Sequence, residues 1–283
     1  MTLISTKIGR KGGSNNRKRG SFKSSETLIG IAAVLLFILA WQLVTTAVRF
    51  PYFPPPSRII ANAVSRWFDG PWYMLWVGPN AATQLLPSIE RLLAGWAIAV
   101  IVGIAVGFAI GLLPRFARYV EPPMTFVRNL PPTALIPVFL LILGVGDSMK
   151  IIFISSTVVW PILLNTIDGV QSVDQTQLST ARSYGIRRSR VLSHIILPSA
   201  LPKIFAALRI SLSLALILMV ISEMVAATNG IGFEILKGQR TFRIVDMWSG
   251  IIVLSVLGFL LNQIVQLIEH RALRWHRGAR NNG

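Results

Sequence analysis

Glu223 is the one acid in the apolar stretch 210–233, and Arg128 and Asn129 lie in another apolar stretch broken by Pro122, Pro123, Pro131, Pro132 and Pro137. An ionisable side chain in such surroundings needs a partner, a solute or an interface within reach. Arg128 is suited to attract an anion, Asn129 to donate and accept hydrogen bonds, and Ser222 beside Glu223 to offer a hydroxyl. With Pro132 and Trp160 these residues make a candidate lining for a polar path. Each charge also has a plainer reading. The Arg128 guanidinium can snorkel to a surface, and Glu223 can pair with an arginine or rest at an interface. A second group, Arg187, Arg188 and Arg190, forms the polar side of a segment too basic to sit in lipid.

Catalytic chemistry is not encoded in any recognisable form. No glycine-rich run ends in Gly-Lys-Ser/Thr, so the chain has no phosphate loop for ATP. His194, His270 and His276 lack metal-site spacing with acids, and neither Gly-x-Ser-x-Gly nor His-Glu-x-x-His occurs. The absence of cysteine excludes disulfides and thiolate chemistry. No cofactor is expected on this chain.

The elements that position these residues are membrane helices. Of 283 residues, 53% are hydrophobic and 14% charged, outside the range of soluble domains. A net charge of +17 is compatible with nucleic acid, but the basic residues flank apolar runs, which is the membrane pattern. Residues 1–26 are polar and basic and are expected to be a disordered tail. Residues 27–275 form the membrane domain, and 276–283 a second short tail. Spans are predicted at 27–48, 92–113, 120–145, 151–167, 202–223 and 247–268, giving an all-α polytopic protein with six transmembrane helices. The second carries Ala99, Gly103, Gly107 and Gly111 at four-residue intervals, a face on which another helix can approach closely. In the third, the backbone is expected to leave regular helix from Glu121 to Pro137. Between the first two spans, Ser57 is a candidate N-cap for a short helix with Ile59, Ile60, Ala63 and Trp67 on one face. With Trp72 and Trp76 it reads as an interfacial element.

Basic flanks set the topology. With six spans, the segments sharing a side with the termini hold seventeen Lys and Arg, and the opposite loops hold seven. Both termini and the segment 179–202 are therefore expected in the cytoplasm.

That segment, STARSYGIRRSRVLSHIILPSALP, reads as a rigid elbow. Asp174 with Gln177 resembles a capping box for a helix starting at Gln175, and Gly185 is placed to end it in a left-handed conformation. A second short helix follows, with Val191, Leu192, Ile195 and Ile196 on its apolar face. Pro198 and Pro202 suit the first turn of a third.

Gly185, nine intervening residues, Ile195, one residue, then Leu197 and Pro198 resembles the loop signature of binding-protein-dependent ABC importer permeases. That signature opens Glu-Ala-Ala; here Ser179, Thr180 and Ala181 stand in its place, and only the alanine agrees. ARSYG…ILPSALP resembles the nitrate/sulfonate/taurine branch, and the likeness runs over roughly 52–275, including RNLPPTALIP and ATNGIG. The resemblance implies the type I importer permease fold in a bacterial inner membrane, alternating access, and a cytoplasmic coupling helix. Ser179, Thr180, Ala181, Tyr184, Gly185, Arg187, Arg188, Ile195, Leu197 and Pro198 would serve that coupling. It implies a paired ATPase subunit holding ATP and Mg, a second copy of the permease, and an extracytoplasmic binding protein. It implies a small anionic solute such as a sulfonate, taurine or nitrate, with an aromatic acid or vitamin-like compound as the alternative. Spacing alone leaves a self-sufficient carrier or channel, and a membrane scaffold or enzyme, as other readings.

Overall fold

The computed structural model describes residues 18–70 and 78–274, with side chains from Leu28 onward. Residues 1–17 of the basic tail, Trp72, Trp76 and the tail 276–283 lie outside the described residues. All regular structure among the described residues is helical. Among the described residues five helices are long and apolar enough to cross a membrane, or six if one bent pair is counted as a single span.

The chain divides into two compact units, Met1–Arg58 and Ile59–Gly283. In the first, α1 (Lys18–Val48) begins nine residues before the predicted start, so 18–26 are helical rather than disordered. Extending an existing helix adds one hydrogen bond per residue fixed, without the cost of nucleation. Arg49 takes φ 51, and the chain turns through Phe50 and Tyr52, whose rings meet edge-on at 6.1 Å. Ser57 is not an N-cap. Its helix, α2 (Pro56–Trp67), starts one residue earlier, and the Ser57 N–H donates to Gln42 Oε1 at 3.1 Å.

In the second unit, the rest of α2 turns one apolar face into protein. Ile59, Ala63 and Trp67 are buried, and Ala63 and Trp67 pack with Ile231, Ile235 and Val253. Ile60, Ala61 and Val64 face outward. Arg66 fixes the docking by ion pairs with Glu234 at 2.6 Å and Asp246 at 3.0 Å.

The centre of this unit is the pair α3 (Leu86–Gly111) and α6 (Asp147–Gln171), with α9 (Leu197–Ala226) against them. A Cβ on Gly95 would strike Ile154, on Gly103 Ile162, on Gly107 Thr166 and on Gly111 Val170. Partner numbers rise with glycine numbers, so the two helices run parallel. The chain must therefore return between them, and α4 (Pro114–Arg128) with α5 (Pro132–Leu143) is the only connection. That pair is one crossing, bent by 87°. The break is shorter than predicted: α4 continues through Pro122 and Pro123, and helix is lost only at 129–131. Pro131 is held at ψ 118 because Pro132 follows it, and Pro132 then opens α5.

The elbow also differs from its prediction. Only α7 (Gln175–Ser183) is a separate helix. α8 (Arg188–Val191), a π turn (Leu192–Ile196) and α9 form one helix, Arg188–Ala226. The Leu197 N–H bonds to Leu192 O, five residues back, immediately before Pro198. A proline inside an α-helix lacks a donor and crowds the carbonyl four residues earlier; widening the turn relieves that crowding. The same device precedes α3, where a π turn (Ala81–Leu85) is followed by Leu86 and Pro87. The last two helices are α10 (Ile231–Arg240) and α11 (Ile244–Ala272).

Candidate functional site

Two clusters lie at opposite ends of the parallel pair. At the end where α3 and α6 begin, four charged side chains meet, and three of them are almost wholly enclosed. The Glu223 carboxylate is fully buried and accepts from Ser88 Oγ at 2.8 Å, Arg91 Nη1 at 2.7 Å and the Gly232 N–H at 3.0 Å. Arg91, 2% exposed, also donates through Nε to Asp147 Oδ1 at 2.8 Å and through Nη2 to Asn229 Oδ1 at 2.5 Å. Lys150, 3% exposed, reaches Asp147 at 3.3 Å. Two cations face two anions, so the cluster is neutral as a whole. Its members come from α3, α6 and α9 and the turn before α10, and it fastens all four together.

The ATNGIG turn encloses this cluster from one side. Gly230 stands at φ 118, where only glycine is comfortable, and a Cβ there would fall on the Glu223 carboxylate. Its N–H donates to Gln84 Oε1 at 2.7 Å, and the Ile231 N–H donates to Ser88 Oγ at 2.9 Å. Three donors at the start of α10, the N–H groups of Gly230, Ile231 and Gly232, thus find acceptors across the bundle.

Six residues predicted to line a path are not brought together. Ser222 and Glu223 are fully buried in protein contacts, the Ser222 hydroxyl donating to Met219 O at 2.8 Å. Glu223 is therefore an interhelix anchor with a saturated carboxylate, the arginine-paired reading. Trp160 is half-buried in a small core with Ala117, Met124 and Leu163 between α4 and α6. Arg128 and Asn129 are exposed at the bend between α4 and α5, and Pro132 is half-buried beside them. An arginine in the last turn of a helix is favourably placed against the helix dipole. Arg91 is the residue sequence reading missed. It continues the four-residue stripe of Gly95, Ala99, Gly103, Gly107 and Gly111 by one step, and that register marks it as facing α6.

The elbow occupies the other end. The Asp174 side chain accepts from the Thr176 N–H at 2.8 Å, which starts α7 where the sequence predicts. Gly185 has φ 64, with its N–H on Arg182 O and the Ile186 N–H on Ala181 O, both at 3.0 Å. This pair of bonds is a Schellman motif, and it stops the helix at a defined angle. Ala181 is turned inward at 2% exposure. Ser179, Thr180, Gly185, Arg187 and Arg188 are exposed, and Tyr184 is 81% exposed. Ile195, Leu197 and Pro198 lie further along, in the π turn and the start of α9, with Ile195 and Pro198 half-buried and Leu197 exposed. Lys203 and Asp168 tie α9 to the end of α6 at 2.8 Å, and Arg209 pairs with Glu269 of α11.

Residues 99–274 match the model of a family described as a binding-protein-dependent transport system inner membrane component. The taurine transport system permease protein TauC of Escherichia coli (strain K12) is 32% identical over 249 residues, which cover 88% of this chain and 89% of that protein. The putative aliphatic sulfonates transport permease protein SsuC of Bacillus subtilis (strain 168) is 26% identical, covering 92% and 91%. The bicarbonate transport system permease protein CmpB of Synechococcus elongatus is 28% identical, covering 96% and 99%. Two inward-facing structures of the MetNI methionine ABC transporter share the fold, with TM-scores of 0.57 and 0.58 over 67% and 72% of this chain at 17% and 16% identity.

Proposed function

The chain belongs to the family of binding-protein-dependent transport system inner membrane components, and from that premise we propose that it is the permease subunit of an ATP-driven importer for a small anionic solute. The relatives named for taurine, aliphatic sulfonates and bicarbonate support that class of substrate. The solute would be delivered by an extracytoplasmic binding protein, with two copies of this chain forming the path. ATP and Mg would reside on a separate pair of ATPase subunits, since this sequence has no phosphate loop.

The observation that carries the mechanism is the build of the elbow. Its exposed surface (Ser179, Thr180, Tyr184, Arg187 and Arg188) is held by a Schellman stop on one side and runs without interruption into a 39-residue helix on the other. A push on α7 is thus delivered to α9 through the turn 184–187 and to α6 through the short turn before Gln175. Closure of the ATPase pair would tilt these helices and switch the access of the central path. Gly185→Pro removes the N–H that closes the motif, and Arg187→Glu with Arg188→Glu reverses the charge of the docking surface. Each is expected to abolish copurification with the ATPase subunit while leaving the permease folded in the membrane. Full retention of the ATPase by both variants overturns the docking role, as does solute uptake by vesicles holding this chain alone.

Orientation follows from the basic flanks, with the elbow and both termini in the cytoplasm. A reporter fused after Lys237 is expected to read as extracytoplasmic; a cytoplasmic reading reverses the topology.

A further inference from the structure

A cavity of about 820 Å³ lies beneath the elbow, bounded by the ends of α3 and α6, the inner side of α7 and the start of the helix Arg188–Ala226. It falls within the usual range of small-ligand sites, about 300–1,000 Å³. Its wall is divided by chemistry. Leu113, Val170, Leu178 and Leu192 contribute an apolar side, and Arg182 and Arg188 are its two basic residues. No carboxylate lines it, and neither guanidinium is paired with one among the described residues. Leu113 is itself 59% exposed, and α4, which starts at the next residue, presents Phe116 and Tyr119 outward at 52% and 81%. The apolar wall is therefore continuous with a surface suited to hydrocarbon.

We propose that this cavity seats the headgroup of an anionic phospholipid, with Arg182 and Arg188 holding the phosphate and the acyl chains leaving past Leu113 along α4. A guanidinium offers planar, paired donors that match phosphate oxygens. Basic pockets at membrane-helix ends attract anionic headgroups by the same electrostatics. A free oxyanion would use the two arginines but leave the apolar wall in contact with water. A neutral lipid would fill the wall but leave the charges unanswered. The bound lipid would brace α7, which otherwise joins the bundle through its two ends, the buried Ala181 and the half-buried Leu178.

The seating of the lipid shares Arg188 with the docking surface proposed above and Arg182 does not belong to it; the effect of the lipid on coupling rests on that docking reading. The test is therefore made on the full-length chain without an ATPase. Purified protein is exchanged into mixed phosphatidylglycerol and phosphatidylcholine, and retained lipid is read by native mass spectrometry. The expected result is one phosphatidylglycerol per chain, preferred about tenfold over phosphatidylcholine and not displaced by millimolar inorganic phosphate. Arg182→Gln, a residue outside the proposed docking surface, should remove most of that preference. Leu178→Trp, which fills the cavity without changing charge, should remove the bound lipid altogether. Equal retention of both lipids, an unchanged preference in Arg182→Gln, or displacement by phosphate overturns the proposal and leaves the docking reading untouched.

Discussion

Arg91→Met is expected to be the most damaging single substitution in the chain, because it leaves the fully buried Glu223 carboxylate with no countercharge in contact. Breaking a buried pair from one side costs about 3–5 kcal/mol, most of it the penalty of the charge left behind. Glu223→Gln is expected to be milder. The amide keeps an oxygen for the Gly232 N–H or Ser88 hydroxyl, and Arg91 keeps Asp147 and Asn229. The double substitution Arg91→Met with Glu223→Leu should recover much of the loss, since an apolar pair of similar volume leaves no uncompensated charge. Thermal unfolding of the purified protein, with the amount recovered from membranes as a second measure, checks the order. A double variant no more stable than Arg91→Met would show that the cluster does not act as a pair. Transport selectivity altered by Glu223→Gln at unchanged stability would return that residue to a path.

Much of this arrangement is legible in the sequence, and the rest is hidden for identifiable reasons. The limits of α7 are local chemistry: an Asp174 side chain caps the start and Gly185 supplies the left-handed stop, so both appear where the residues predict. The glycine stripe announces a close helix contact, but not with which helix. The partner ridge on α6 (Ile154, Val158, Ile162, Thr166 and Val170) is β-branched at the same four-residue interval. Read alone, it is only an apolar span. Glu223 stands out because it is a lone acid, whereas Arg91 hides at the edge of its apolar run, where a basic residue looks like a membrane flank. The π turns are invisible because they are compensations for Pro87 and Pro198 within helices that continue, and a proline in sequence suggests a boundary. The inward face of α2 is misjudged for another reason. An amphipathic helix buries the same face in lipid or in protein, and only Arg66 between Glu234 and Asp246 decides for protein.

The glycine groove yields the second large effect, and a way to tell side-chain contacts from backbone contacts. Four glycines of α3 lie so close to α6 that an added Cβ would stand 2.7–2.9 Å from its atoms. Overpacking of this kind costs about 1–3 kcal/mol where neighbours can shift and more where they cannot. At Gly103 the nearest atoms are Ile162 Cγ2 at 2.9 Å and its Cβ at 3.0 Å. At Gly107 the nearest is the backbone oxygen of Leu163 at 2.7 Å, followed by the Thr166 Cβ at 2.8 Å. A rotamer change moves neither of the latter, so Gly107→Ala must push the helices apart and should be the worse of the two. The difference is sharper in double-mutant cycles. Gly103→Ala should be less damaging in an Ile162→Ala background, where the obstructing methyl is gone. Gly107→Ala should be as damaging with Thr166→Ala as without it, because the carbonyl and the Cβ both remain. Unfolding midpoints of the four variants and their parents decide the matter. Equal coupling at the two sites would mean that α3 and α6 separate freely, which a rigid parallel pair joining the ion cluster to the elbow could not do.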